Sequence, residues 1–263
     1  MSLLKMMGVI NITPNSFSGD SASLTPDILN SKLEALRDIP ILDFGAESTA
    51  PMNASISYEE ELARFAPYLD QIFSWEKVVS IDTYHPETIA FFQQEWVKRS
   101  KRNPLVWNDV SGKWDDEVER FLSISGPYSY VFSHNLAPTR SQSGAHMKFT
   151  ADNLSREEFF QGLVDYFRPH VRSKVILDPC FGFSKTYEQN WEAIERFGEL
   201  QKILNHEHWL FGISRKSFLR QKYNLTNSLE DRDLLDQHQK DEIRRLSTRW
   251  IGEVWIRTHR PLL

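Results

Sequence analysis

Eight short apolar runs recur along this chain, and each one stops at a polar residue. They are Lys5 to Ile10, Pro40 to Phe44, Val78 to Ile81, Pro104 to Trp107, Ser129 to Ser133, Lys174 to Leu177, Trp209 to Ile213 and Glu253 to Ile256. A parallel strand buried on both faces reads as a continuous apolar run. Eight such runs separated by helical patterns predict an α/β chain closed into a (β/α)8 TIM barrel, one domain over residues 1–263. The stops are Asn11, Glu47-Ser48-Thr49, Asp82, Asn108, His134, Asp178, Ser214-Arg215-Lys216 and Arg257-Thr258-His259. In such a barrel the reactive groups project from the C-terminal strand ends, so these stops are the candidate site.

Helix signals fill the gaps. Thr25-Pro26 reads as an N-cap with proline in the first turn, opening Asp27 to Leu36. Ser57 with Glu60, Ser155 with Glu158, and Thr186 with Gln189 have capping-box spacing. His85-Pro86 opens a helix with Ile89, Phe92 and Trp96 on one face. Trp114 to Ile124 reads as a further helix. Asp231 to Trp250 is a long polar helix whose buried side is Leu235, Ile243, Leu246 and Trp250. Residues 12–24 and 135–153 are the two loops of the length and composition that binding loops have.

A net charge of −5 argues against a general nucleic-acid or membrane-surface role, so an anionic ligand must be met by local cations. No segment approaches the roughly 20 apolar residues that span a bilayer. The single cysteine, Cys180, excludes an internal disulfide and fits a reducing cytoplasm. It reads as a small buried hydrophobe, since no base stands near it in the sequence. His134 reads as a structural hydrogen-bonding group. Taken singly, Asn11, Asp82 and Asn108 are better read as turn caps, and Phe183 equally well as core.

Seven ordered motifs resemble those of the dihydropteroate synthase family. They are Met7-Gly-Val-Ile-Asn-Ile-Thr-Pro-Asn-Ser-Phe-Ser18, Asp43-Phe-Gly-Ala-Glu-Ser-Thr49, Ser80-Ile-Asp-Thr-Tyr-His-Pro86 and Asn108-Asp-Val-Ser-Gly112, followed by Asp178-Pro-Cys-Phe-Gly-Phe-Ser-Lys185, Gly212-Ile-Ser-Arg-Lys-Ser-Phe218 and Arg257-Thr-His259. The resemblance implies an enzyme of folate synthesis that joins 7,8-dihydropterin-6-ylmethyl diphosphate to 4-aminobenzoate and releases diphosphate with Mg2+. Asp82, Asn108 and Asp178 would pair with the pterin edge, and Lys216 would donate to its carbonyl and ring nitrogen. The family places the carbonyl oxygen of Asn11 near Mg2+. Arg257 and His259 would hold diphosphate oxygens, and Thr49 would orient the pterin diphosphate. Phe183 and Ser214 would receive the amine acid, with Phe17 closing over it.

The departures from the family pattern are specific. Ala50 stands where an arginine usually follows Glu-Ser-Thr, removing a cation and a hydrogen-bonding fork. Ala46 and Cys180 replace glycines, at a cost of about 1–2 kcal/mol if either backbone lies at positive φ. The first loop reads Ser-Gly-Asp-Ser where Ser-Asp-Gly-Gly is common, and Asn135-Leu136 follows His134 where a methionine is usual. Few residues precede the first run, and no room for an eighth helix follows His259, where Arg260 replaces a helix-capping aspartate. The sequence therefore leads us to expect exposed barrel wall between the last and first strands, covered either by a homodimer partner or by a shifted neighbouring helix. Two other functions fit the same motifs: a pterin-barrel protein that binds without turnover, and a pterin-dependent methyltransferase.

Overall fold

The structure is a computed structural model, and it describes residues 2–13, 24–47, 55–226 and 228–260. Eight parallel strands close in sequence order: β1 (Leu3–Asn11), β2 (Ile41–Gly45), β3 (Val78–Asp82), β4 (Leu105–Asp109), β5 (Tyr128–Ser133), β6 (Val175–Asp178), β7 (His208–Phe211) and β8 (Glu253–Thr258). Each corresponds to one of the eight apolar runs. The ring closes where β1 pairs with β8, Met6 opposite Ile256 and Gly8 opposite Thr258.

One residue from every strand fills the barrel interior: Met7, Ile41, Val78, Val106, Val131, Ile176, Leu210 and Trp255. Strand side chains alternate faces, so the next inward position lies two residues further on. Those positions are Val9, Asp43, Ser80, Asn108, Ser133, Asp178, Gly212 and Arg257. An apolar plug thus gives way within one pleat to a largely polar layer at the C-terminal mouth. Each fully buried aliphatic side chain in the plug contributes about 1.5–3 kcal/mol.

The helices described are α1 (Pro26–Ala35), α2 (Tyr58–Phe65), α3 (Leu69–Ser74), α4 (Pro86–Lys98), α5 (Asp116–Ser123), α6 (Arg156–Phe167), α7 (Tyr187–Glu195), α8 (Phe197–Leu204), α9 (Ser217–Tyr223) and α10 (Leu229–Ser247). Thr25 caps α1 by accepting from the Ile28 N–H. Ser155 with Glu158 and Thr186 with Gln189 form reciprocal capping boxes at α6 and α7. The box expected at Ser57 is only half made. Ser57 accepts from the Glu60 N–H, but the Glu60 carboxylate turns to Arg64 Nη2 at 2.6 Å, a charged partner one turn away. Helix α4 buries Ile89, Phe92 and Trp96 as its spacing predicts. Helix α10 begins at Leu229, two residues before the expected Asp231, because Ser228 accepts from the Asp231 N–H. Leu235, Ile243 and Leu246 on α10, and Trp250 beyond its end, are buried.

The expectation of exposed barrel wall at the last strand is corrected among the described residues. The outward-facing Met6, Ile10, Val254 and Ile256 are buried, the last two completely. They share one hydrophobic cluster with Leu29 and Leu33 of α1 and Leu235, Ile243 and Leu246 of α10. Ser2 Oγ also donates to the Ser247 carbonyl, tying the first strand to the end of α10. The seam residues are thus buried within the chain's own core. Arg260 pairs with Asp233 near the start of α10.

Between β5 and α6 the long connection winds into a 3-10 segment, Arg140–Phe149. Together with α3, α8 and α9, it was not visible in the sequence pattern. No helix among the described residues is long and apolar enough to cross a membrane.

Candidate active site at the barrel mouth

Asp43 lies at the base of the mouth and is completely buried. It accepts from Ser80 Oγ at 2.6 Å, from Asn108 Nδ2 at 3.1 Å to both oxygens, and from Arg257 Nε at 2.7 Å. A buried carboxylate is tolerable only when its lone pairs are met, and here β3, β4 and β8 meet them. The bond also fixes the Asn108 amide. Its NH2 is committed to Asp43, so its carbonyl oxygen is the group left to receive a ligand donor. In the sequence Asp43 stood within an apolar run and opened the second motif, with no role of its own assigned to it. Two-residue alternation from Ile41 was the signal that would have exposed it.

Arg257 bridges two carboxylates, donating from Nη2 to Asp82 Oδ2 at 2.5 Å as well as to Asp43. Burial raises the Asp82 carboxyl to about 7; Arg257 opposes that shift and Asp43 adds to it. Asp178 accepts from the Cys180 N–H at 2.7 Å, and burial raises its carboxyl to about 6 despite that bond and the Lys216 charge. Lys216 sits directly before α9, with its stem against the backbone of Gly182 and its ammonium 4.6 Å from the Phe183 ring centroid. Burial lowers the Lys216 pKa, while Asp178 and Asp82 raise it. Asp82, Asn108, Asp178 and Lys216 therefore meet at one mouth, as does Phe183.

Ser214 and His259 form a second pair on the same rim. The His259 N–H donates to Ser214 Oγ at 3.3 Å, and ring Nδ1 lies 3.1 Å from the same oxygen. His259 stands one residue beyond the end of β8. Burial, then the charges of Arg257, Arg215 and Lys216, lower its pKa to about 3, so the free ring is neutral. Asn11 ends β1 and is exposed on the rim. Thr49 and Phe17 lie outside the described residues, as do Ala50 and most of the first loop.

Cys180 has φ of 53°, where a side chain is strained, whereas Ala46 does not have positive φ. Burial pushes the Cys180 thiol up to about 12, so it is protonated and not a nucleophile. The segment around it is held by Lys185, which is buried and whose Nζ lies 2.8 Å from His134 Nδ1. Lys185 also donates to the carbonyls of His134 at 3.1 Å and Phe183 at 3.0 Å. The structural role read for His134 is thus borne out, and its partner was the lysine of the Gly-Phe-Ser-Lys motif. Asn135 is accounted for in the same way, donating to the Val110 carbonyl at 2.8 Å and accepting from Ser184 Oγ at 3.2 Å.

Mg2+ is the metal that the resemblance implies. Among the described residues there is no group of three or more His, Cys, Asp or Glu suited to a metal ion. Asp43 and Asp82 are already paired with Arg257, and Asp178 accepts from the Cys180 N–H. Mg2+ commonly keeps water and phosphate oxygens as most of its ligands, and the exposed Asn11 at the end of β1 is the residue for which the resemblance implies a contact.

These features, a closed (β/α)8 barrel with a carboxylate, amide and lysine constellation at its C-terminal mouth, define a pterin-binding barrel. The chain belongs to the pterin binding enzyme family, whose pattern matches residues 7–241. Its relatives include dihydropteroate synthases. It is 28% identical over 232 residues to dihydropteroate synthase of Escherichia coli, covering 84% of this chain and 76% of that one. The mitochondrial folate synthesis bifunctional protein of Pisum sativum is 29% identical over 233 residues, and there this chain spans only 43% of the relative's length. A Clostridium difficile dihydropteroate synthase solved in the presence of pteroic acid superposes with a TM-score of 0.71 at 25% identity, covering 99% of this chain and 92% of that one.

Proposed function

We infer that this chain is a dihydropteroate synthase, a transferase that joins 7,8-dihydropterin-6-ylmethyl diphosphate to 4-aminobenzoate and releases diphosphate. The observation that carries the reading is the convergence of Asp82, Asn108, Asp178 and Lys216 above an apolar plug, inside a family that binds pterins. A pterin edge offers ring N–H and amino donors beside a carbonyl. The Asp178 carboxylate and the Asn108 carbonyl accept from the donors, and Lys216 donates to the carbonyl.

The reaction breaks the bond between the pterin methylene and the diphosphate oxygen, and the aromatic amine then attacks the methylene carbon. The electron pair of the broken bond leaves on diphosphate, and the amine loses a proton as the C–N bond forms. No protein nucleophile is used. Arg257 contributes fixed positive charge at the mouth, and His259 offers its second ring nitrogen to a diphosphate oxygen. Ser214, Phe183 and Phe17 would hold the amine acid, and Thr49 the pterin diphosphate. Mg2+ held through Asn11 would neutralise charge on the departing diphosphate.

Diphosphate release that requires both 4-aminobenzoate and Mg2+ is the expected outcome. Tight pterin binding with no release would favour the binding protein without turnover, and methyl transfer from a folate would favour the methyltransferase. We also propose a cytoplasmic location, supported by the free buried Cys180. A homodimer is a further proposal, supported by the exposed Leu3 and Leu234. A monomer in sedimentation at micromolar concentration would remove it.

A further inference from the structure

The 3-10 segment Arg140–Phe149 is pinned at one end by Arg140. Its guanidinium pairs with Asp109, which is completely buried, and with Asp115 at 3.0 Å, and it bonds Ser111 Oγ at 3.0 Å while lying over the Trp107 ring. Six residues later, just past a break in the helix at Ala145, the segment delivers His146, which is 2% exposed. The imidazole lies 3.9 Å, centroid to centroid, from the Phe183 ring, at an interplanar angle of 34°. Two further bonds fix its place: its Nδ1 accepts from the Ser184 N–H at 3.4 Å, and its carbonyl accepts from Ser184 Oγ at 3.2 Å. Phe183 is therefore contacted by His146 from the long β5–α6 connection and by the Lys216 ammonium from the start of α9. The backbone under it includes Gly182 at φ 84° and Ser184 at φ 48°, so the ring stands on a tightly turned segment.

We propose that His146 is a positioning residue for the amine-acid side of the pocket, packing Phe183 in place so that segment Arg140–Phe149 sets which aromatic amine is accepted. Burial and the charges of Lys216 and Lys185 lower the His146 pKa to about 4, so the packing partner is a neutral, flat ring across the physiological range. Tilted aromatic contacts of this kind hold their geometry through ring quadrupoles and contact area. The inference rests on the proposed reaction, because it takes Phe183 to face the amine.

Steady-state kinetics of the full chain test it, with 4-aminobenzoate and the pterin diphosphate varied separately. His146→Ala should raise the KM for 4-aminobenzoate about threefold to tenfold, the range one aromatic contact supplies. The KM for the pterin substrate should stay within about twofold of the parent value. His146→Phe, which keeps a ring, should restore the amine KM. Equal changes in both KM values, or no change in a His146→Ala protein of unaltered Tm, would overturn the proposal. So would a raised amine KM that phenylalanine does not reverse, since that assigns the effect to the Ser184 hydrogen bond. If the unmutated chain does not turn over, the proposed reaction fails first. Titration of 4-aminobenzoate into pterin-loaded protein then decides this inference, with equal Kd for parent and His146→Ala rejecting it.

Discussion

Arg257 on β8 donates from Nε to Asp43 on β2 at 2.7 Å, across 214 residues of sequence, and that bond is the base on which the mouth is built. Removing Asp43 takes the acceptor from Arg257 Nε and leaves that guanidinium with Asp82 alone. Asp43→Ala should therefore lower stability by about 3–5 kcal/mol in urea denaturation. Ser80 and Asn108 would lose their acceptor together, so pterin binding should fall in the same variant. A stability loss under about 1 kcal/mol would show that Arg257 does not depend on Asp43.

Asp178→Ala leaves the pterin donors it faces unmatched. A loss of about 1–3 kcal/mol in pterin affinity is expected by calorimetry. Unchanged affinity would remove Asp178 from the site.

The pH response follows from two raised carboxyls, Asp82 at about 7 and Asp178 at about 6. Folded protein keeps these protons where the unfolded chain, with a pKa of about 3.9, has lost them. Their contribution to stability is full below about pH 4 and is lost as pH rises through about 6 to 7. Ligand binding runs the other way, because only the ionised carboxylate accepts from both pterin donors. Pteroic acid affinity should rise from about pH 5 to pH 8 and then level, while these groups lower the Tm of the free protein over the same range. A flat affinity across that interval would contradict the assignment.

Lys185 makes its hydrogen bonds to His134, Phe183 and Cys180 with neutral acceptors alone. Lys185→Met should cost about 3 kcal/mol, since several buried acceptors lose their donor at once. Burial lowers the lysine to about 8, against about 10.4 in the unfolded chain. Between those values the unfolded state holds the extra proton, so stability should increase with pH. Denaturation at about pH 8 and pH 10 should show that increase in the parent and lose it in the methionine variant.

Cys180 occupies a backbone conformation that suits glycine. Cys180→Gly should relieve strain and gain about 1 kcal/mol, read as a raised urea midpoint. A loss of stability instead would show that the packing of the buried thiol outweighs the strain.

The strands were legible because burial on both faces makes each one a largely apolar run, as in Val175–Leu177. The helix starts were legible because a capping side chain sits within three residues of the N–H it satisfies, as Thr186 does for Gln189. Asp82, Asn108, Asp178, Lys216 and Arg257 could be picked out because each follows or ends such a run. Asp43 could not, since its neighbours Leu42 and Phe44 hide it in an apolar context. Lys185 looked like an ordinary loop cation until its cage of carbonyls appeared.

What the sequence determined by itself is therefore whatever local periodicity encodes: eight strands, most helix starts, the order of the motifs and the polar group at each strand end. Closure of the ring decided the rest. Arg257 meets Asp43, Arg140 reaches Asp109, and His146 rests on Phe183 only because strands distant in the chain are brought side by side. The burial of Val254 and Ile256 at the β8–β1 seam was settled in the same way, inside one core shared with residues of α1 and α10. Such contacts are chosen by the burial and pairing they achieve in three dimensions, and no local spacing in the chain records that choice.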